Sequence, residues 1–209
     1  MKQPLWKTKE KDTAMLYAKG EVCGVCPKLF KEIINRCEYM EIGKGEEFIY
    51  QGKPNNDIYI LIKGIACSTY CVANKEIITQ FFHPQRNILM FNSPVSETGI
   101  ITNEGFEGIC KTSMLRLSKQ VLEELIIQYP ILNNHISNNY NWQQHENRMH
   151  ANSLHMHTPQ QKIIYFYTKH PSLYDNHSLT AIRKGEHLNV SDNQFCIHKN
   201  MVKARGYLN

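Results

Sequence analysis

The spacing of apolar positions changes from helical to strand-like near residue 38 and back again near residue 118. Between Cys26 and Cys37, Leu29, Phe30, Ile33 and Ile34 fall on one face at helical spacing, and Pro27 suits a first turn. From Glu38 to about Arg116 the apolar runs are short and separated by turn residues. Glu46 to Tyr50 is followed by a dense turn cluster, Gln51 to Asp57. Ile58 to Ile62 is a continuous apolar run ending at Lys63-Gly64. Ile65 to Val72 and Ile77 to Phe82 read as two more strands about a turn at Ala73-Asn74-Lys75. Such spacing predicts a β-sandwich or jelly-roll barrel. His83 to Gly108, with Pro84, Pro94, Gly99, Gly105 and Gly108, reads as irregular, and Ile109 to Leu117 returns to strand character.

Helical spacing resumes after Ser118, an N-cap for a helix through Tyr129 with Val121, Leu122, Leu125 and Ile126 inward. Ile131 to His157 contains no glycine or proline and predicts one long helix. Its heptad-like seam, Leu132, His135, Asn139, Trp142, Glu146, Met149, Ser153 and Met156, is half polar, a poor but possible dimer seam. Thr158-Pro159-Gln160-Gln161 is a capping box with proline at the first helical position, opening a helix through about Lys169 that Pro171 stops. Leu179 to Ile182 reads as a short strand or as the start of the next helix. Leu188 to Lys199 reads as the turn and second helix of a helix-turn-helix. The pattern divides the chain into 1–130, 131–157 and 158–209, an α+β arrangement.

Composition adds a charge asymmetry. The chain has 209 residues and a net charge of +5. Residues 158–209 carry seven Lys/Arg against three Asp/Glu, whereas residues 1–130 carry 16 against 15. A basic tail domain suits nucleic acid, although a lysine-decorated surface reads the same way. The Met1–Lys11 segment is lysine-rich without an apolar stretch, and no apolar run approaches the ~20 residues of a membrane span. A cytoplasmic protein with reduced thiols and no membrane partner is expected.

In this order the parts resemble the Crp/Fnr superfamily of bacterial transcription regulators. The resemblance rests on Gly45-Glu46-Glu47-Phe48-Ile49-Tyr50-Gln51-Gly52, on Asp57-Ile58-Tyr59-Ile60-Leu61-Ile62-Lys63-Gly64, and on Leu188-Asn189-Val190-Ser191. Arg205-Gly206-Tyr207-Leu208 resembles the start of a wing, cut off at Asn209. The resemblance spans roughly residues 28–209. It implies an N-terminal cyclic-nucleotide-binding-like jelly-roll barrel, a long dimerisation helix and a C-terminal winged helix-turn-helix. It also implies double-stranded DNA, a second copy of the chain, RNA polymerase and a small-molecule effector as partners. The implied DNA-binding residues are Ser191, Asn193, Gln194, Lys199, Lys203 and Arg205. The effector would lie between the barrel loop, with Asn92, Ser93, Ser96 and Thr98, and the long helix near Asn138 and Trp142.

Three departures from that family shape the expectation. Its cyclic-nucleotide binders place an arginine about ten residues after a Gly-Glu pair, but here no arginine lies between Asn87 and Leu115. A buried phosphodiester without a cation is costly, so the effector is expected to be something other than a standard cyclic nucleotide. The second departure is the recognition helix. Where the family has Arg, Glu and Arg to read guanine and cytosine, the matching positions hold Asp192, Asn193 and Ile197; Asn193 and Gln194 can read adenine. The third is Lys184-Gly185-Glu186-His187, which replaces an apolar residue and alanine and predicts a loosely packed tail. An interaction module that has lost DNA binding is the alternative reading.

Other chemistry is thin. Cys23-Gly24-Val25-Cys26, with Cys37 and Cys110, is the only outline of an iron–sulfur or zinc site; plain thiols are expected, with no cofactor and no metal. Cys67 and Cys71 are expected on one strand face. His135, His145, His150, His155 and His157 lack the paired spacing and carboxylate of a zinc helix. No nucleophile elbow, P-loop or dinucleotide fingerprint occurs, so an enzyme is not expected.

Overall fold

A computed structural model describes residues 27–73, 75–84, 89–90, 101–156, 158–174 and 176–204. Helix α1 (Pro27–Arg36) leads into strands β1 (Glu38–Ile42), β2 (Glu47–Ile49), β3 (Ile58–Lys63), β4 (Ala66–Val72), β5 (Lys75–Phe82), β6 (Leu89–Met90), β7 (Gly105–Gly108) and β8 (Thr112–Leu117). The strands form two antiparallel sheets in the orders β1-β8-β3-β6 and β2-β7-β4-β5. Gly45, Gly52 and Gly64 all have positive φ and turn the chain between strands.

Strand β3 is buried on both faces, which explains its unbroken apolar run. Strand side chains alternate in direction. Tyr59 and Leu61 point into the barrel, where they meet Ile42, Ile49, Ala66, Phe82, Phe106 and Met114. Ile58, Ile60 and Ile62 point outward to Leu29, Phe30, Ile33 and Ile34 of α1. Helices α2 (Lys119–Gln128) and α3 (Ile131–Met156) complete that outer layer through Leu122, Leu125, Leu132 and Ile136. Ser118 caps α2 by accepting from the Val121 N–H. Asp57 accepts from the Lys119 N–H at 3.1 Å and from Arg116 Nε at 2.6 Å, tying β3, β8 and α2 together.

The second sheet's outer face carries the C-terminal helices. They are α4 (Pro159–Lys169), α5 (Pro171–Tyr174), α6 (Ala181–Leu188) and α7 (Asp192–Ala204). Ile65, Cys67, Ile78, Phe81 and Ile109 of the barrel share one core with Ile163, Phe166, Leu173, Tyr174, Leu179, Leu188, Phe195 and Val202. This packing corrects the expectation of a loose tail: Leu188, Phe195 and Val202 are fully enclosed.

Other local expectations are also revised. The stretch read as irregular contains β7, in which crowding demands glycine at Gly108 and leaves Gly105 tightly approached. A Cβ on Gly108 would lie 2.6 Å from the Gly43 carbonyl oxygen, and one on Gly105 would lie 3.2 Å from Thr69 Oγ1. The helix from Pro159 ends at Lys169 with His170 as its cap, as expected, and Pro171 then opens the short helix α5. Leu179 precedes α6, which Thr180 caps by accepting from Arg183 N–H. The capping box at Thr158 and Gln161 forms in full. Cys67 is buried under the C-terminal helices whereas Cys71 is exposed, with a register shift between Ser68 and Thr69. In the seam of α3, Leu132 and Ser153 are buried within the chain, and Glu146 pairs with Lys169 of α4 at 3.4 Å. These residues therefore face their own chain.

Candidate nucleic-acid interface

Helices α6 and α7 and the turn between them form a helix-turn-helix. The turn is built by Asn189, whose φ of 49° and ψ of 53° are left-handed, a conformation that asparagine tolerates better than most side chains. Its backbone N–H reaches the carbonyls of Gly185 and Glu186. A Cβ on Gly185 would sit 2.7 Å from the Val190 carbonyl oxygen, so the turn folds directly against that glycine. Ser191 then starts α7: its Oγ accepts from the Gln194 N–H, and Gln194 Oε1 accepts from the Ser191 N–H, both at 3.1 Å. This is a capping box that sequence reading did not identify.

Phe195 and Val202 anchor α7, which leaves Asn193, Cys196, Ile197, Asn200, Met201 and Lys203 exposed. Lys199 is half-buried, with its ammonium 4.9 Å from the centre of the Tyr174 ring. Of the six residues expected at DNA, Ser191, Asn193, Gln194, Lys199 and Lys203 therefore lie on one helix and its cap. Arg205 lies outside the described residues. Gln194 spends its acceptor on the cap, which leaves its N–H₂ group free for another partner.

Helix α6 faces the opposite way, into the barrel, through residues that resemble no motif. Arg183 pairs with Glu76 of β5 and Glu107 of β7, and with Glu186 at 3.1 Å. Burial disfavours the charge of Arg183, but its carboxylate partners more than offset this and its pKa is raised. Glu107 is only 8 % exposed; burial pushes its pKa up, against the pull of Arg183. One turn on, His187 is enclosed, with Nδ1 donating to the Ile78 carbonyl at 3.1 Å. Its ring stacks on His150 of α3 at 3.8 Å and lies 4.7 Å from Phe81. His170 and His83 complete a chain of rings. Lys184 is also buried, donating to the carbonyls of Tyr174 and Asn176.

The expected effector site is only half visible. Asn92, Ser93, Ser96 and Thr98 lie outside the described residues. On α3, Asn138 is exposed and Trp142 half-buried. The described barrel interior is filled, with Phe48 in edge contact with Tyr59 and Phe106, and Phe82 against Phe106. Cys23 and Cys26 also lie outside the described residues. Cys37 sits in the apolar layer beneath α1, where burial pushes its thiol up to about 12, contrary to what a thiolate ligand needs. Among the described residues no group of three or more His, Cys, Asp or Glu side chains is placed to hold a metal. No described helix is long and apolar enough to cross a membrane.

No family model and no curated protein matches the sequence. Solved structures do. FixK2 of Bradyrhizobium japonicum superposes with a TM-score of 0.71 at 15 % identity, covering 81 % of this chain and 86 % of its own. The c-di-GMP-responsive global regulator CLP of Xanthomonas campestris gives 0.69 at 10 % identity, over 87 % and 93 %. A protein from Eubacterium rectale described as a transcriptional regulator of the Crp/Fnr family gives 0.64 at 9 % identity, over 88 % and 86 %. At these identities the likeness is one of fold, over more than four-fifths of this chain. The chain has the fold of the Crp/Fnr regulators.

Proposed function

We propose that this chain is a DNA-binding transcription regulator that acts as a homodimer through α3 and responds to an effector other than a standard cyclic nucleotide. The observation that carries the proposal is the orientation of the helix-turn-helix. Helix α6 is buried against the barrel, while the capped N-terminal half of α7 stands in solvent. In this motif the N-terminal residues of the second helix meet the base edges in the major groove. Ser191 can donate its hydroxyl to a phosphate, Asn193 and Gln194 can face bases, and Lys199, Lys203 and Arg205 can neutralise backbone charge. Ile131 and Met149, exposed on α3, support pairing of two copies there. The aromatic filling of the barrel and the lack of an arginine from 87 to 115 support a non-nucleotide effector.

The test is duplex binding across a salt series. A regulator of this kind loses affinity linearly in log–log form as salt rises, with a slope near −0.9 for each phosphate neutralised. Absence of binding to any duplex at low salt would sink the proposal and leave an interaction module.

A further inference from the structure

The outward face of α7 is exposed but uncharged at its centre. Helical spacing of about 3.6 residues per turn puts Asn193, Cys196, Ile197 and Asn200 on that face, with Met201 at its edge. Ile197 is 58 % exposed and Met201 39 %. Asp192 and Lys203 flank it on one side, and Lys199 is turned towards Tyr174. Single exposed apolar residues are ordinary on a surface, but here Ile197 and Met201 lie where a helix-turn-helix meets base edges.

We propose that α7 reads A·T base pairs, an inference that rests on the DNA-binding reading above. In the major groove only thymine presents a methyl group, and only adenine offers an adjacent acceptor and donor that match an Asn amide. Ile197, with Cys196 or Met201 beside it, supplies apolar contact for thymine methyls. Asn193 and Asn200, about two helical turns apart on the same face, supply amides for adenine. Guanine offers two acceptors, which call for a cation, and the centre of this face has none. Gln194 is a weaker adenine reader than Asn193, because its carbonyl oxygen is committed to the Ser191 N–H.

The experiment selects bound duplexes from a randomised library with the full chain at low, fixed salt, then replaces individual bases. A·T pairs are expected at the positions under α7. Thymine→uracil at such a position removes only the methyl and should weaken binding about 3- to 5-fold. Adenine→7-deazaadenine removes N7 and should weaken it about 5-fold or more. Ile197→Ala should erase the thymine–uracil difference; the exposed side chain contributes no core packing, and circular dichroism checks the fold. Selection of G·C pairs at these positions, or an unchanged thymine–uracil difference in Ile197→Ala, overturns the inference. Equal binding to all duplexes overturns it too but leaves DNA binding intact. Binding to no duplex overturns the regulator reading itself and makes the apolar face a protein contact.

Discussion

Gly185 shows how one residue can reverse a propensity argument. In a helix interior alanine is favoured over glycine by about 1 kcal/mol, so Gly185→Ala would stabilise α6 taken alone. In the folded chain the added methyl meets the Val190 carbonyl oxygen at 2.7 Å, and that oxygen belongs to backbone, which cannot rotate aside. The turn must open, moving Ser191 and the start of α7. Gly185→Ala is expected to lower stability by about 1–3 kcal/mol, as overpacking does, and to be visible as a lower thermal midpoint. A midpoint equal to or above that of the parent chain would show that the turn adapts without cost. Cys37 makes the complementary point. It lies in an apolar layer that raises its thiol to about 12, so its neighbours treat it as a small hydrophobe.

Helix α6 shows what can and cannot be seen in a sequence. The elements built on periodicity were legible: α1 from Leu29, Phe30, Ile33 and Ile34, β3 from its apolar run, and α4 from the box at Thr158 and Gln161. Strand β7 was not, because Gly105 and Gly108 look like breakers until the approach of Thr69 and Gly43 is known. The buried face of α6 was not legible either, because three of its members, Arg183, Lys184 and His187, are polar types that usually face water. Their partners come from β5, β7 and the segment after α5, far off in sequence, and no local pattern announces them. Arg183 is the testable member. Arg183→Met leaves Glu107 buried and unpaired. It should destabilise by about 2 kcal/mol, less than for a fully enclosed pair since Arg183 and Glu76 are partly exposed. Faster hydrogen exchange should appear in β5 and α6 together. Adding Glu107→Gln should recover part of the loss. Loss confined to α6, with β5 protection unchanged, would mean that the ion pairs do not hold the two parts together.

At the scale of the whole molecule, the C-terminal helices, barrel and long helix meet at His187 and His150, and that junction has a built-in pH response. The groups against the pair are the Ile78 carbonyl and Phe81 from β5, Phe166 of α4 and His170 just after it, with His83 beyond His170; the Lys162 charge acts on His150, and Arg183 lies one turn before His187 on α6. The Glu146–Lys169 ion pair lies one turn before His150 on α3. Among these described groups, only that ion pair and the carboxylates bound to Arg183 bring negative charge. Burial lowers His150 from 6.5 to about 4, with Lys162 adding to the fall and the His187 backbone opposing it. Burial, then the neighbouring His150 and His170, holds His187 well below its usual value. Both groups are depressed in the folded chain, so the unfolded chain binds more protons on acidification. Their contribution to stability is complete above about pH 7 and is lost as pH falls from 6.5 towards 4. At pH 5 the loss is about 2 kcal/mol for the first proton, from ~1.4 kcal/mol per pH unit, and the stacked rings make the second proton harder still to place. Thermal midpoints between pH 8 and pH 5 should therefore fall in the parent chain. In a His150→Gln/His187→Gln double variant the curve should be flatter, even though the variant starts lower. Parallel curves would place the acid response elsewhere. Because α6 docks by this junction and the turn into α7 folds directly against Gly185, loosening here is expected to reach α6 and that turn together.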